Sequence, residues 1–201
     1  FSSSMAVYGK DSSNASEKNI PKPISYYGLS KLNGEKILLN LIDVGINVKI
    51  FRIFNAYGIF QDYNNPHQGM LSIYLAQIYR NSKVKVTGSL NRSRDFIYID
   101  DIISAFTNNK ILNFKNSNIF NLGSGKETKV SSLLKLLFNI LLKKYRVIVV
   151  DEHSGDTNKS YANIKLIKKT GWTNKISLKA GIKKVTKDLK IFDENYSSFN
   201  R

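Results

Sequence analysis

A tyrosine and a lysine stand four residues apart in Tyr27-Gly28-Leu29-Ser30-Lys31, and a run of three serines, Ser2-Ser3-Ser4, precedes them near the start of the chain. On a helix that spacing places both side chains on one face, with the ammonium beside the phenol. A neighbouring cation favours the phenolate, which would equip Tyr27 as a proton acceptor. An amphipathic helix with a solvated lysine has the same spacing, so the flanking elements must decide between the two readings.

Those elements alternate between strand and helix. Residues 1–4 read as the end of a buried strand and 5–20 as the loop after it. Pro21 and Pro23 introduce a helix over 26–43 with Leu32, Ile37, Leu38, Leu39 and Ile42 as its apolar positions and Gly45 as its stop. Residues 48–54 read as a strand, which completes a βαβ unit and implies a parallel sheet. A long loop over 55–69 is rich in Asn, Gly, Asp and Tyr. Helices are expected over 70–80, from Asp100, and over 130–142, 164–169 and 178–189, with strands at 84–86, 94–99, 119–122 and 147–150. The polar end, 194–201, is expected to fray. The pattern is α/β, with its early strands forming half of a doubly wound sheet.

Composition narrows the classes of function. With 201 residues and 42% hydrophobic content, the chain can bury a core. It has no cysteine, so disulfide and thiolate chemistry are excluded, and its two histidines, His67 and His153, do not suggest a metal site. No apolar run is long enough to span a membrane, and the cysteine-free composition is that of a cytoplasmic protein. The net charge of +16 invites a nucleic-acid reading, but its lysines are scattered and have few aromatics between them. A lysine-biased surface explains them better, and nucleic acid is disfavoured as a partner. A phosphorylated ligand would benefit from the same field.

Five segments in order resemble the extended short-chain dehydrogenase/reductases, specifically the NAD-dependent epimerase/dehydratase family and its UDP-glucose 4-epimerase-like members. They are 1–9 (FSSSMAVYG), 27–35 (YGLSKLNGE), 51–58 (FRIFNAYG), 94–101 (RDFIYIDD) and 120–125 (FNLGSG). The resemblance implies the C-terminal half of a Rossmann-type doubly wound parallel sheet plus a smaller α/β substrate-binding lobe. Residues 1–54 would belong to the NAD-binding domain, 95–122 would pack on it, and 55–94 with 123–201 would form the lobe. The family's glycine fingerprint would precede Phe1, so the chain is expected to be part of a longer enzyme and inactive by itself.

By the same resemblance, Tyr27 is the catalytic base at the sugar 4-hydroxyl, Lys31 holds the nicotinamide ribose, and Ser4 hydrogen-bonds the reacting oxygen. Phe54 would lie against the nicotinamide. Asn55 and Arg94 would contact the diphosphate, for which a guanidinium fork is well shaped. Met70 falls in the segment expected to wrap the nucleotide base. His153 stands where the family usually has an arginine, and Ser160, being small, would leave room for an N-acetyl group on the sugar. The implied activity is NAD-dependent epimerisation of a nucleotide sugar at C4, in the supply of cell-surface polysaccharide, by a homodimer formed through helices such as 26–43. A 4,6-dehydratase is the first rival, disfavoured because Met5-Ala6 rather than an acidic pair follows Ser4. A non-catalytic NAD-sensing or nucleic-acid-associated relative is the second.

Overall fold

The structure, a computed structural model, describes residues 1–10, 12–150 and 158–199, the last five of these by backbone alone. Strand β1 (Ser2–Ser4) runs into a short 3-10 turn (Met5–Tyr8), and helix α1 (Tyr26–Asn40) follows. Strands β2 (Ile50–Ile53) and β3 (Asn55–Tyr57) precede α2 (Met70–Asn81), β4 (Val84–Thr87), β5 (Ser93–Arg94) and β6 (Phe96–Tyr98). Next come α3 (Ile99–Phe106), α4 (Asn109–Leu112), β7 (Ile119–Leu122), β8 (Thr128–Lys129) and α5 (Val130–Leu141). The chain continues with β9 (Val147–Val150), β10 (Lys159–Ser160), α6 (Lys165–Lys168) and α7 (Leu178–Phe199).

β1, β2 and β7 form a parallel sheet with β2 in the centre. The unit β1-α1-β2 is thus the βαβ crossover that the apolar pattern predicts. β2 reads Ile-Phe-Arg-Ile and β7 Ile-Phe-Asn-Leu, the near-continuous apolar runs of strands covered on both faces. Their third residues, Arg52 and Asn121, are polar and buried, and Ser3 lies beside them in register, so one polar row crosses all three strands.

Two apolar cores result. The first gathers Val7, Tyr8, Phe51, Phe54, Ile97, Phe120 and Leu122 around the sheet, and it takes in Ala162, Ile164, Ile167 and Trp172, which the sequence division assigns to the second lobe. The second core is built from α2, α5 and α7, with Leu71, Leu75, Ile78, Leu133, Leu134, Leu137, Ile182, Val185 and Leu189.

Three expectations need correction. The predicted loop 55–69 opens with a strand, β3, which pairs in parallel with β6. The predicted strand over 94–99 is two strands, because the Asp95 carboxylate turns aside to take the N–H groups of Ser124, Gly125 and Ala162 while pairing passes from β8 and β10 to β3. The terminal helix continues to Phe199 instead of fraying from 194; Asp193 pairs with Arg80 at 2.5 Å, and the Phe192 ring meets Tyr63 edge-on. Among the described residues no helix is long and apolar enough to cross a membrane, and no group of acidic or histidine side chains could hold a metal ion.

Candidate active site

Ser25 starts α1, its hydroxyl accepting the Gly28 N–H at 3.1 Å, a side-chain cap for one of the helix's free donors. Gly28 is what lets the helix come close: a Cβ there would stand 2.6 Å from the Ala6 carbonyl oxygen and 3.0 Å from Pro23 Cβ. The first turn of α1 therefore lies against the 3-10 turn that Ser4 caps by accepting the Ala6 N–H at 3.2 Å. Tyr27 and Lys31 share a face as their spacing predicts. Lys31 Nζ lies 5.6 Å from the centroid of the Tyr27 ring and donates to the Ser2 carbonyl at 2.9 Å, at the end of β1. Tyr27 is 56% exposed, and its hydroxyl has no hydrogen bond among the described residues, so a ligand can reach it.

A second group of the predicted residues gathers around β5. Asn55 donates through both its backbone N–H and its side-chain Nδ2 to the Asp95 carbonyl, at 3.0 and 3.1 Å, which fixes it next to Arg94. Arg94 is buried and donates to the Ser93 carbonyl. Burial, with Arg92 alongside, holds its guanidinium down to about 10. Arg92 itself donates to the Tyr74 hydroxyl. Ser160 lies beside Arg94 in parallel register, fully buried, and its hydroxyl points to the Met5 sulfur at 3.6 Å. Met5 follows Ser4, so a continuous arc runs from Ser4 through Met5 and Ser160 to Arg94 and Asn55.

Two further predicted residues are packed into the cores. Phe54 is buried in the first core, its N–H bonded to the Leu122 carbonyl and its ring 6.4 Å from that of Tyr8. Met70 opens α2 and packs, half-buried, on the second core. His153 lies outside the described residues.

Sequence reasoning missed the charged group under the site. Glu35 is 1% exposed on α1. Its carboxylate accepts the Ser3 hydroxyl at 2.5 Å and faces Arg52, with Oε2 taking Arg52 NH2 at 2.7 Å and both oxygens within reach of Nε. Arg52 NH1 donates to the Tyr8 hydroxyl at 3.1 Å, and Tyr8 donates to Asn121 Oδ1 at 2.6 Å. Burial works against the Arg52 charge, but the Glu35 and Tyr8 contacts outweigh it and raise its proton affinity; burial pushes the Tyr8 hydroxyl up to about 12 against the opposing effect of Arg52. The signal was present in the sequence: Glu35 continues the spacing of Tyr27 and Lys31, and Arg52 interrupts an apolar strand.

The sequence model of the NAD-dependent epimerase/dehydratase family matches residues 1–123. The chain belongs to this family. A Methanocaldococcus jannaschii protein provisionally named a UDP-glucose 4-epimerase is 36% identical over 94% of this chain and 61% of its own length. An Escherichia coli dTDP-4-dehydro-6-deoxyglucose reductase is 32% identical over 94% of the chain and 60% of its own. The chain therefore spans about three fifths of these curated relatives. Among solved structures, the Thermotoga maritima UDP-glucose 4-epimerase with UDP-glucose superposes with a TM-score of 0.87 at 29% identity, covering 96% of this chain and 63% of that one. The UDP-N-acetylglucosamine 4-epimerase of Methanobrevibacter ruminantium, in complex with UDP-N-acetylmuramic acid, gives 0.87 at 25% identity over 96% and 62%. These neighbours confirm the α/β, Rossmann-type reading of the parallel sheet.

Proposed function

We propose that the chain carries the catalytic base and sugar-side residues of an NAD-dependent nucleotide-sugar 4-epimerase. The observation that carries this is the Tyr27–Lys31 pair on the face of α1 that meets β1, with Lys31 on the Ser2 carbonyl and Gly28 pressed against the turn that Ser4 begins. Both names among the curated relatives given above concern position 4 of a nucleotide-linked sugar, the place where a phenol would exchange a proton with a hydroxyl or a ketone.

The residues present fit the nicotinamide end of NAD. Lys31 spends one N–H on Ser2, leaving others for a ribose, and Tyr27 is open to the same side. When bound, NAD would accept and return a hydride at C4. Tyr27 would take the proton of the 4-hydroxyl and later return it, with a 4-keto sugar between the two steps. Ser4 would hold the reacting oxygen, and Lys31 would keep its ammonium beside the Tyr27 ring, 5.6 Å from its centroid. Asn55 and Arg94 would take the diphosphate, the latter as a buried guanidinium whose field is little screened. Phe54 would support the nicotinamide side from within the core, and Met70, with His153, would border the nucleotide.

Ser160 and Met5 would border the sugar. A small residue at 160 favours acceptance of an N-acetyl group, so both UDP-hexoses and UDP-N-acetylhexosamines are proposed substrates. The exposed strip of Tyr26, Leu29 and Ile37 on α1 supports the homodimer. Purified full-length protein given NAD and UDP-glucose should form UDP-galactose, and Tyr27→Phe should not. Release of water to give a 4-keto-6-deoxy sugar would replace this reading with a dehydratase, and stoichiometric consumption of reduced nicotinamide would replace it with a reductase.

A further inference from the structure

α1 turns few fully buried side chains to the sheet. Gly28 and Glu35 are its buried residues and Leu32 packs half-buried on the first core, while Tyr26, Leu29 and Ile37 are exposed. Directional contacts add to this apolar contact in setting its depth and rotation. The residues of β1 supply them. The Ser2 carbonyl accepts from Lys31, and the Ser3 hydroxyl donates to Glu35; Ser4 caps the turn against which Gly28 is pressed. Tyr27, Lys31 and Glu35 follow one another at intervals of four, so one face of α1 meets the serine run through its second and third members and holds its first free.

Glu35 is the fixed end of that face. Its carboxylate is held by Ser3 and by Arg52, and both belong to the cross-strand row Ser3, Arg52, Asn121. The row is itself anchored: Asn121 takes the Tyr8 hydroxyl, and its Nδ2 donates to the Ala15 carbonyl at 2.7 Å. A buried ion pair is weak support for stability, because an apolar pair of similar volume often does as well or better. What it supplies here is direction, since two guanidinium donors and one hydroxyl can all donate to the carboxylate in only one rotation of the helix.

We propose that Glu35 is a positioning residue for the reaction: through Ser3 and Arg52 it fixes the rotation and depth of α1, and so places Tyr27 and Lys31 beside β1. This rests on the reading of Tyr27 as the base. Glu35 touches neither substrate nor cofactor in that reading and acts only through its helix.

The test uses the full-length protein with the near-isosteric Glu35→Gln, the double variant Glu35→Leu with Arg52→Met, and Tyr27→Phe. Three quantities are read: kcat against KM for UDP-glucose, the Tyr27 ring resonances assigned by their loss in Tyr27→Phe, and the Trp172 indole N–H resonance, which reports the fold through its bond to Ser104 at 2.9 Å. Glu35→Gln should lower kcat at least tenfold with KM within twofold, and should displace the Tyr27 resonances while the Trp172 resonance stays in place. The double variant should keep the Trp172 resonance and a wild-type Tm, yet recover no turnover. Unmoved Tyr27 resonances in Glu35→Gln, or wild-type kcat in either variant, would overturn the proposal and leave the ion pair a matter of folding. If Tyr27→Phe retains full turnover, the site reading fails instead. The displacement of the Tyr27 ring then still decides whether Glu35 positions the helix.

Discussion

Of the 12 residues of α5, Val130, Leu133, Leu134, Leu137 and Phe138 are buried, whereas α1, with 15, buries only Gly28 and Glu35. Both helices pack on the body of the protein, but α5 is held mainly by the area it removes from water, and α1 by the half-buried Leu32 together with a close approach and a charged contact. Apolar burial tolerates small slides and rotations, because it has no direction. Hydrogen bonds to a fixed carboxylate do not. The helix proposed to carry the chemistry is thus the one attached by directional contacts, and the helix that carries the second core is attached by bulk.

Substitutions can break that contrast, beginning with the largest effect. Tyr27→Phe should reduce epimerisation about 10²- to 10⁴-fold, the usual contribution of a positioned acid–base group, with no loss of Tm, because the side chain is over half exposed. Leu134→Ala in α5 should cost about 2–5 kcal/mol of stability in denaturant unfolding and leave the activity per folded molecule intact. Leu29→Ala on the exposed side of α1 should cost the single protomer no more than about 0.5 kcal/mol, its larger effect falling on dimerisation. If the two leucines cost the same, the contrast is wrong. Gly28→Ala sharpens it from the other side: its Cβ would press on the Ala6 carbonyl, which must move α1 outward, so about 1–3 kcal/mol of stability and a larger share of turnover should be lost together.

A further effect is confined to alkaline pH. An unfolded tyrosine loses its proton near 10, while folded Tyr8 keeps its own to about 12. Between those values the folded state binds the extra proton, so this contribution is complete below the lower value and disappears as pH rises through the upper one. Urea titrations should show wild-type stability falling across that window by on the order of 2 kcal/mol more than in Tyr8→Phe. Equal slopes would remove Tyr8 from the support of α1.

Much of this was legible in the chain. The strand Ile119–Leu122 shows as an apolar run and the helix starting at Val130 as an apolar period, and both are where the pattern puts them; the helix carrying Tyr27 and Lys31 also forms, but it ends at Asn40 and its expected apolar position Ile37 is exposed. β3, β5, β8 and β10 have two or three residues each, too few to show any period, and exist because neighbouring backbone completes them. Glu35 and Arg52 could not be paired from sequence, since the last turn of α1 and the segment leading to β2 separate them and only the crossover brings them together. Phe54 shows the reverse problem: its sequence position suggests a ligand contact, while its burial against Tyr8 is that of a core ring.

Asp95 has a further consequence. Its carboxylate gathers the N–H groups of Ser124, Gly125 and Ala162, and its carbonyl receives both donors of Asn55. One residue thus joins the end of β7, the segment leading to Ser160's neighbours and the strand that follows β2. In a site of the kind proposed, it would act as a ruler, holding the diphosphate end at a set span from the hydride end. A nucleotide sugar one bond longer or shorter would then present the wrong carbon to Tyr27, so length itself would become a criterion of selection.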